Sequence, residues 1–395
     1  MLHFRSLAAV IATAGIMVFL AVEPAIAQTW TIVSAPPTGE NGQLAGVSAV
    51  SDNDAWAVGS TNAALNGVGA KPLIDNWNGT SWTQVATPTT PGNTASLAAV
   101  SASSVSDAWA VGHTQVNKED FAPLGLHWNG TAWSVSSSFA TALAGQIADG
   151  VADISSTDAY AIGGGLGSAD TGLVAQWNGS TWSRVTVPLP TGAGPTSTLN
   201  AISASGPDDV WIVGTYELNS TDLRSETYSL QWNGSTWSVV PMPLNPSSNI
   251  EAYYQLDAIQ VNSPTDVWAV GSSDVTNATT GVTTGNELIE HWNGAAWSIV
   301  ASPSPGSGSG LYGVTTSNAA SDVWAVGAYT PAGTTETQTL TMNWNGSKWT
   351  QVPSPDNGNP NVLLSTSTIP GASIVWAVGT SGECCTENPL ILQNG

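Results

Sequence analysis

Three features of the sequence predict an all-β chain closed into a ring of seven four-stranded antiparallel blades. One unit is written seven times along it. The seventh copy stops short of its last strand. A segment that matches this strand stands near the amino end.

The unit is clearest at 266–300, which opens DVWAVGSS and closes LIEHWNGAAWSIV. Its marker is an aromatic two residues past an acid: Trp56, Trp109, Tyr160, Trp211, Trp268, Trp324 and Trp376. Asn-Gly pairs follow in step at Asn78, Asn129, Asn178, Asn233, Asn293, Asn345 and Asn394. Second tryptophans come next at Trp82, Trp133, Trp182, Trp237, Trp297 and Trp349. A period of about 50 residues is that of a β-propeller or a similar array.

The amino end reads first. Residues 1–27 join a short basic start (His3, Arg5) to an apolar run ending Ala25-Ile26-Ala27. That is the pattern of a secretory signal peptide cut before Gln28, which leaves 28–395 as the folded chain. The rival reading is an uncleaved anchor. No other run is long and apolar enough to span a bilayer as a helix.

Next comes Thr29-Trp30-Thr31-Ile32-Val33, whose relatives are Ser81–Val85 and Lys348–Val352. The last unit ends at Leu390-Ile391-Leu392-Gln393-Asn394-Gly395 without such a strand. The amino-terminal strand is expected to complete it by pairing with Leu390–Leu392. Closure of this kind belongs to a ring and not to an open solenoid. Three tryptophan places in seven units make twenty-one. Tyr160 and Gln393 take two, and the rest match the 19 tryptophans of the chain. Packing between blades is their default role.

Each unit reads as four strands. The first carries small apolar residues, as in Leu44–Val47. The second, Ala55–Gly59, is almost continuously apolar, which suits burial on both faces. The third is Pro72–Trp77, and Asn-Gly then turns the chain into the fourth. Gln84, Arg184 and Gln351 make the fourth an outer, polar edge. In such a blade the 1–2 and 3–4 turns share one end, short and repetitive. The 2–3 and 4–1 loops share the other end, long and different in every unit.

These motifs resemble those of secreted bacterial β-propeller proteins with DVWAVG and WNGSxW repeats. More loosely, the chain is similar to kelch and galactose-oxidase, Asp-box and tectonin propellers. The resemblance implies a seven-bladed fold over 28–395, with ligands met at one end of the ring. Galactose oxidase holds copper with two His and two Tyr beside a Tyr–Cys link, and none of those residues can be matched here. Fold alone does not assign activity.

Charge and composition narrow the partners. The net charge is −22, and the chain beyond residue 27 has only Lys71, Lys118, Arg184, Arg224 and Lys348 as basic residues. Nucleic acid and anionic membrane surfaces are repelled. The two cysteines, Cys384 and Cys385, are adjacent, so no disulfide framework exists and stability comes from packing.

Candidate chemistry is sparse. Asp54, Asp107, Asp158, Asp209, Asp266 and Asp322 precede the marker, and Ile374 replaces the acid in the last unit. They are expected to cap their own turns through backbone N–H groups rather than bind metal. His127 and His291 share a repeat place with Asn76, Gln176, Gln231 and Asn343, which makes it a hydrogen-bonding place. Asn78, Asn129, Asn178, Asn233, Asn345, Asn219 and Asn277 match the glycosylation sequon, although turn formation already accounts for the first five. No GxSxG, HExxH or Walker element is present. Neither metal nor cofactor is called for.

The candidate ligand-binding residues therefore lie at the long-loop end. Tyr216, Tyr253, Tyr254, Tyr312 and Tyr329 fall in units four to six, at loop positions or strand starts. Ala45, Ala98, Asp149, Asn200, Asp257 and Tyr312 share one place on the first strand, so a polar arc lines the channel mouth from unit three to unit six. Aromatic faces beside carboxylates and amides suit sugars or a protein hot spot. The expected protein is a secreted, monomeric, non-catalytic binding module for a neutral or basic glycan or extracellular protein. The alternative is an extracellular carbohydrate-active enzyme, a glycoside hydrolase or lyase, using loop carboxylates.

Overall fold

The computed structural model describes residues 29–38, 41–61, 69–117, 120–165, 172–193, 197–219, 222–243, 251–276, 280–317, 320–369, 374–383 and 387–395. Residues 1–27, expected to be a signal peptide, and Cys384, Cys385 and Asn277 lie outside them. The chain is a seven-bladed β-propeller. Six four-stranded antiparallel sheets follow one another at 42–84, 94–135, 146–185, 197–240, 251–299 and 306–351. The seventh uses three strands from 361–394 and the strand Trp30–Ile32.

The closure falls slightly off the expected register. Trp30, Thr31 and Ile32 pair with Asn394, Gln393 and Leu392, and the Val33 N–H donates to the Ile391 carbonyl. In the other blades the tryptophan before Asn-Gly pairs with the second tryptophan, as Trp77 with Trp82. Asn394, not Gln393, therefore fills the missing tryptophan place. Gln393 pairs with Trp376, as Asn76 pairs with Trp56.

Tryptophans hold the blades together. Five of the markers are covered by two tryptophans of the following blade, as Trp109 by Trp177 and Trp182 at 5.1 and 4.9 Å between centroids, whereas Tyr160 and Trp324 each meet one, Trp237 and Trp30. Trp268 meets Trp344 and Trp349 at 5.2 and 5.4 Å. Edge-to-face pairs at these spacings complement the quadrupoles of the rings. The second strands, such as Asp54–Thr61, are buried over nearly their whole length, because blades stack on both sides.

The acids before the markers do not cap their turns through backbone N–H groups. They accept from the third strand instead. Asp54 takes Asn76 Nδ2 at 2.8 Å, Asp158 takes Gln176 at 3.1 Å, and Asp322 takes Asn343 at 2.6 Å. His127 and His291 meet Asp107 and Asp266 at 2.8 and 2.7 Å. A second oxygen often reaches back to the first strand, as with Ser103 on Asp107 at 2.8 Å and Ser205 on Asp209 at 2.6 Å. Asp107, Asp209 and Asp266 thus clamp strands one and three across strand two. His127 and His291 also stack on Trp109 and Trp268. The shared Asn/Gln/His place is a hydrogen-bonding place, as its variation implies.

The 3–4 hairpins have four-residue loops. The Asn78 side-chain oxygen accepts from the backbone N–H groups of Thr80 and Ser81, each at 3.0 Å. Gly79 follows with φ +91°, the left-handed conformation that glycine adopts freely. Among the described residues one connection departs from extended loops: Ser137–Ala142 is a short helix that buries Phe139 against Trp182.

Candidate functional site

The glycine that closes the DVWAVG motif shapes the site. A Cβ at Gly59, Gly112, Gly214, Gly271, Gly327 or Gly379 would stand 1.9–2.1 Å from a first-strand carbonyl oxygen. Only glycine admits so close an approach. Beside each contact, and beside Gly163, whose Cβ would stand 2.8 Å from the Ile147 carbonyl oxygen, the first strand carries a β-bulge, between Leu44 and Gly46, Leu97 and Ala99, Ala148 and Gly150, Leu199 and Ala201, Leu256 and Ala258, Leu311 and Gly313, and Leu363 and Ser365. The extra residues are Ala45, Ala98, Asp149, Asn200, Asp257, Tyr312 and Leu364. A bulge re-aims its side chain, and all seven line the central cavity of about 450 Å³.

Below the bulges the inner strands are stitched by hydroxyls. Ser48 accepts from Ala102 N–H at 3.1 Å, Ser101 from Asp153 N–H at 3.0 Å, and Ser203 from Val261 N–H at 3.2 Å. Ser367 closes the seam by accepting from Ala49 N–H at 3.0 Å.

The polar arc is one-sided, as the sequence indicates. Asn200 Nδ2 donates to the Leu256 carbonyl at 2.9 Å and to Thr215 Oγ1 at 3.1 Å, which fixes its amide. Gln255 donates to Asp257. Burial raises Asp149 to about 6, countered in part by the Gly164 N–H. Burial raises Asp257 to about 6 as well, countered by Gln255. Deeper in the channel, burial and the charge of Asp107 raise Asp153 to about 7. Burial, then Asp257 and Asp274, raise the Tyr312 phenol. The cavity lining has three carboxyls and no basic side chain.

The other tyrosines divide. Tyr253 is 47% exposed and stands on the longest first strand, Glu251–Ser263, in line with Gln255 and Asp257. Tyr254 is buried with Leu256 and Trp211 in the core between blades four and five. Tyr216 is buried against Tyr228, with ring centroids 5.9 Å apart. Tyr329 packs on the core of blade six and donates to Gln338 at 3.1 Å. Tyr216 and Tyr254 are thus core residues rather than loop residues. Long second and third strands in blades four and five extend the sheet past the expected loop start and cover them. No group of three His, Cys, Asp or Glu able to hold a metal is found among the described residues.

No family model and no curated protein matches the chain. Solved structures do. A YCF48 structure with a bound D1 peptide is 14% identical over 92% of this chain and 96% of its own, with a TM-score of 0.52. An ulvan lyase, a polysaccharide lyase of family PL25, is 10% identical over 89% and 94%, with a TM-score of 0.53. The fucose-specific lectin of Aleuria aurantia is 12% identical over 81% and 97%, with a TM-score of 0.46. At these identities the likeness is one of fold. The first two, with TM-scores above 0.5, support the propeller and do not separate kelch, Asp-box or tectonin relatives.

Proposed function

We propose that this chain is a secreted, non-catalytic binding module that meets a neutral or basic glycan or extracellular protein at the long-loop end of its ring. One observation carries the reading: four bulged residues, Asp149, Asn200, Asp257 and Tyr312, share one arc of the cavity mouth. Carboxyls and an amide there offer acceptors and donors, and the phenol offers a flat face with a polar tip. Exposed Tyr253 continues the arc outward. The lining lacks any cation, so anionic ligands meet only like charge. Among solved propellers of this shape, one is held with a peptide and another is a polysaccharide lyase. Both partner types are therefore compatible with such a ring.

Two carboxyls raised to about 6 in one cavity also favour a second reading, a hydrolase of neutral glycosides. Burial accounts for each shift, and neither acid is raised by the other. A uronate lyase is disfavoured, since its substrate carboxylate would find no basic side chain in the lining. A glycan array probed with the purified chain decides among these. Retention of intact neutral or amino sugars supports binding. Release of reducing ends from the same sugars supports hydrolysis. Preference for uronates in the channel overturns both.

A further inference from the structure

A second cavity, of about 330 Å³, opens between blades one and two at the long-loop end and shares no lining residue with the channel. Its walls are Ala70–Pro72 at the start of a third strand and the connection 87–95 into the next blade. Its size falls within the range of small-molecule sites.

The walls are fixed before any ligand arrives. Thr114 Oγ1 donates to the Pro91 carbonyl, and the Asn93 N–H donates to the Gln115 carbonyl at 3.1 Å. Gly69 N–H donates to Thr94 Oγ1 at 2.9 Å, and Ala95 N–H to the Ala70 carbonyl at 2.9 Å. Gly92, at φ +87°, lies so close to blade two that a Cβ there would stand 2.5 Å from the Gln115 carbonyl. The connection is therefore tied to both blades. Preorganised walls lower the cost of binding.

Lys71 lines this cavity, and it is one of only six basic residues in a chain of net charge −22. No described carboxylate pairs with it. The side chains of Thr87, Thr89, Thr90 and Asn93 line the same cavity and make no hydrogen bond of their own among the described residues. Three hydroxyls and an amide that can both donate and accept match a polyhydroxylated ligand. The Gly69, Asn93 and Ala95 N–H groups are already used, so they cannot serve a peptide backbone. One lysine balances one negative charge, and the surrounding acidic field rejects ligands with more.

We propose that this cavity is a second ligand site, for a singly charged acidic monosaccharide. The sugar carboxylate lies on Lys71, and its hydroxyls meet Thr87, Thr89, Thr90 and Asn93. The site stands apart from the channel reading and survives its failure.

The test is titration of the full chain with D-galacturonate, D-galactose and acetate, followed by calorimetry or amide shifts. Galacturonate is expected to bind about tenfold or more tightly than either galactose or acetate, because charge and hydroxyls must act together. Lys71→Gln is expected to remove that preference and Lys71→Arg to keep it, with the melting temperature of both unchanged. Added salt should weaken galacturonate binding. The proposal is overturned if galacturonate does not bind, if galactose or acetate binds equally well, or if Lys71→Gln leaves its affinity unchanged.

Discussion

Asn394 pairs with Trp30 at the place where every other blade pairs one tryptophan with another. Its side chain is fully buried, and neither its oxygen nor its nitrogen has a hydrogen-bond partner among the described residues. The marker Trp324 is covered there by Trp30 alone, at 5.4 Å. The ring thus joins its ends in the one blade whose tryptophan pair is incomplete. A buried amide without partners costs more than an apolar group of its shape. Asn394→Leu is expected to stabilise the chain by about 1–2 kcal/mol, read from the denaturant midpoint. Loss of stability would show that the amide is satisfied. Trp30→Ala should instead cost roughly 3–5 kcal/mol, as a large-to-small change in the core.

Two further acids sit where the fold calls for apolar side chains. Asp75 and Glu290 occupy the third-strand place that Leu126, Ala175, Leu230, Met342 and Leu392 fill elsewhere. Burial raises Asp75 to about 7 and Glu290 to about 8. Thr227, which donates to Glu290 at 3.1 Å, lowers that group, and the Glu226 charge raises it. The folded pKa of each exceeds the unfolded one, so the folded chain keeps a proton that the unfolded chain loses. The associated stability is complete below the ordinary values of 3.8 and 4.5, and it is lost as pH rises through about 7 and about 8. Asp75→Leu should therefore stabilise the chain by roughly 2–4 kcal/mol at pH 8 and by far less at pH 4. Equal gains in melting temperature at both pH values would show that Asp75 does not titrate in this window.

Asp107 works in the opposite sense. Burial pushes it up, but hydrogen bonds from His127 and Ser103 and the His127 charge outweigh that, and it ends lowered. Such clamps make a separate prediction at His291. Asn76 and Asn343 serve the same acid from the same place, so His291→Asn should change stability by about 1 kcal/mol or less. His291→Leu leaves Asp266 without its third-strand donor and should cost about 1–3 kcal/mol. Equal costs for the two variants, measured by denaturation, would mean that the ring's stacking on Trp268 matters more than the clamp.

Much of this fold is written in the period. Marker aromatics, Asn-Gly pairs and second tryptophans recur at set offsets, so blade number and ring closure follow from counting. The acids were harder to place. A short carboxylate before a strand reads as a turn cap, and only the structure brings Asp54 within 2.8 Å of Asn76, twenty-two residues on. The bulges were hidden as well, because a glycine that makes room for a carbonyl looks like a glycine that ends a strand. The shared place of Asp149, Asn200, Asp257 and Tyr312 was nonetheless visible, since it repeats with the blades. Tyr216 and Tyr254 misled because strand length beyond the repeat carries no periodic signal. The helix at Ser137–Ala142 has no counterpart in another connection among the described residues.

That division of the tyrosines sets the final prediction. Tyr254→Ala should cost roughly 3–5 kcal/mol, since the ring is buried beside Leu256 and Trp211. Tyr253→Ala should cost about 0.5 kcal/mol, because much of that ring meets solvent. Binding should follow the opposite order. Against a sugar retained on the array, Tyr253→Ala, Asp257→Asn and Tyr312→Phe should each weaken affinity by about tenfold while the fold is kept. Thr80→Ala with Ser180→Ala supplies the control. Both residues lie in the 3–4 turns at the far end, bonded to Asn78 and Asn178 at 2.8 and 2.9 Å. If this turn pair loses binding while the three channel-side variants keep it, the working face is the Asn-Gly end. If Asp257→Asn instead abolishes sugar cleavage without changing sugar affinity, the carboxyl is a catalytic acid and the binding-module reading falls.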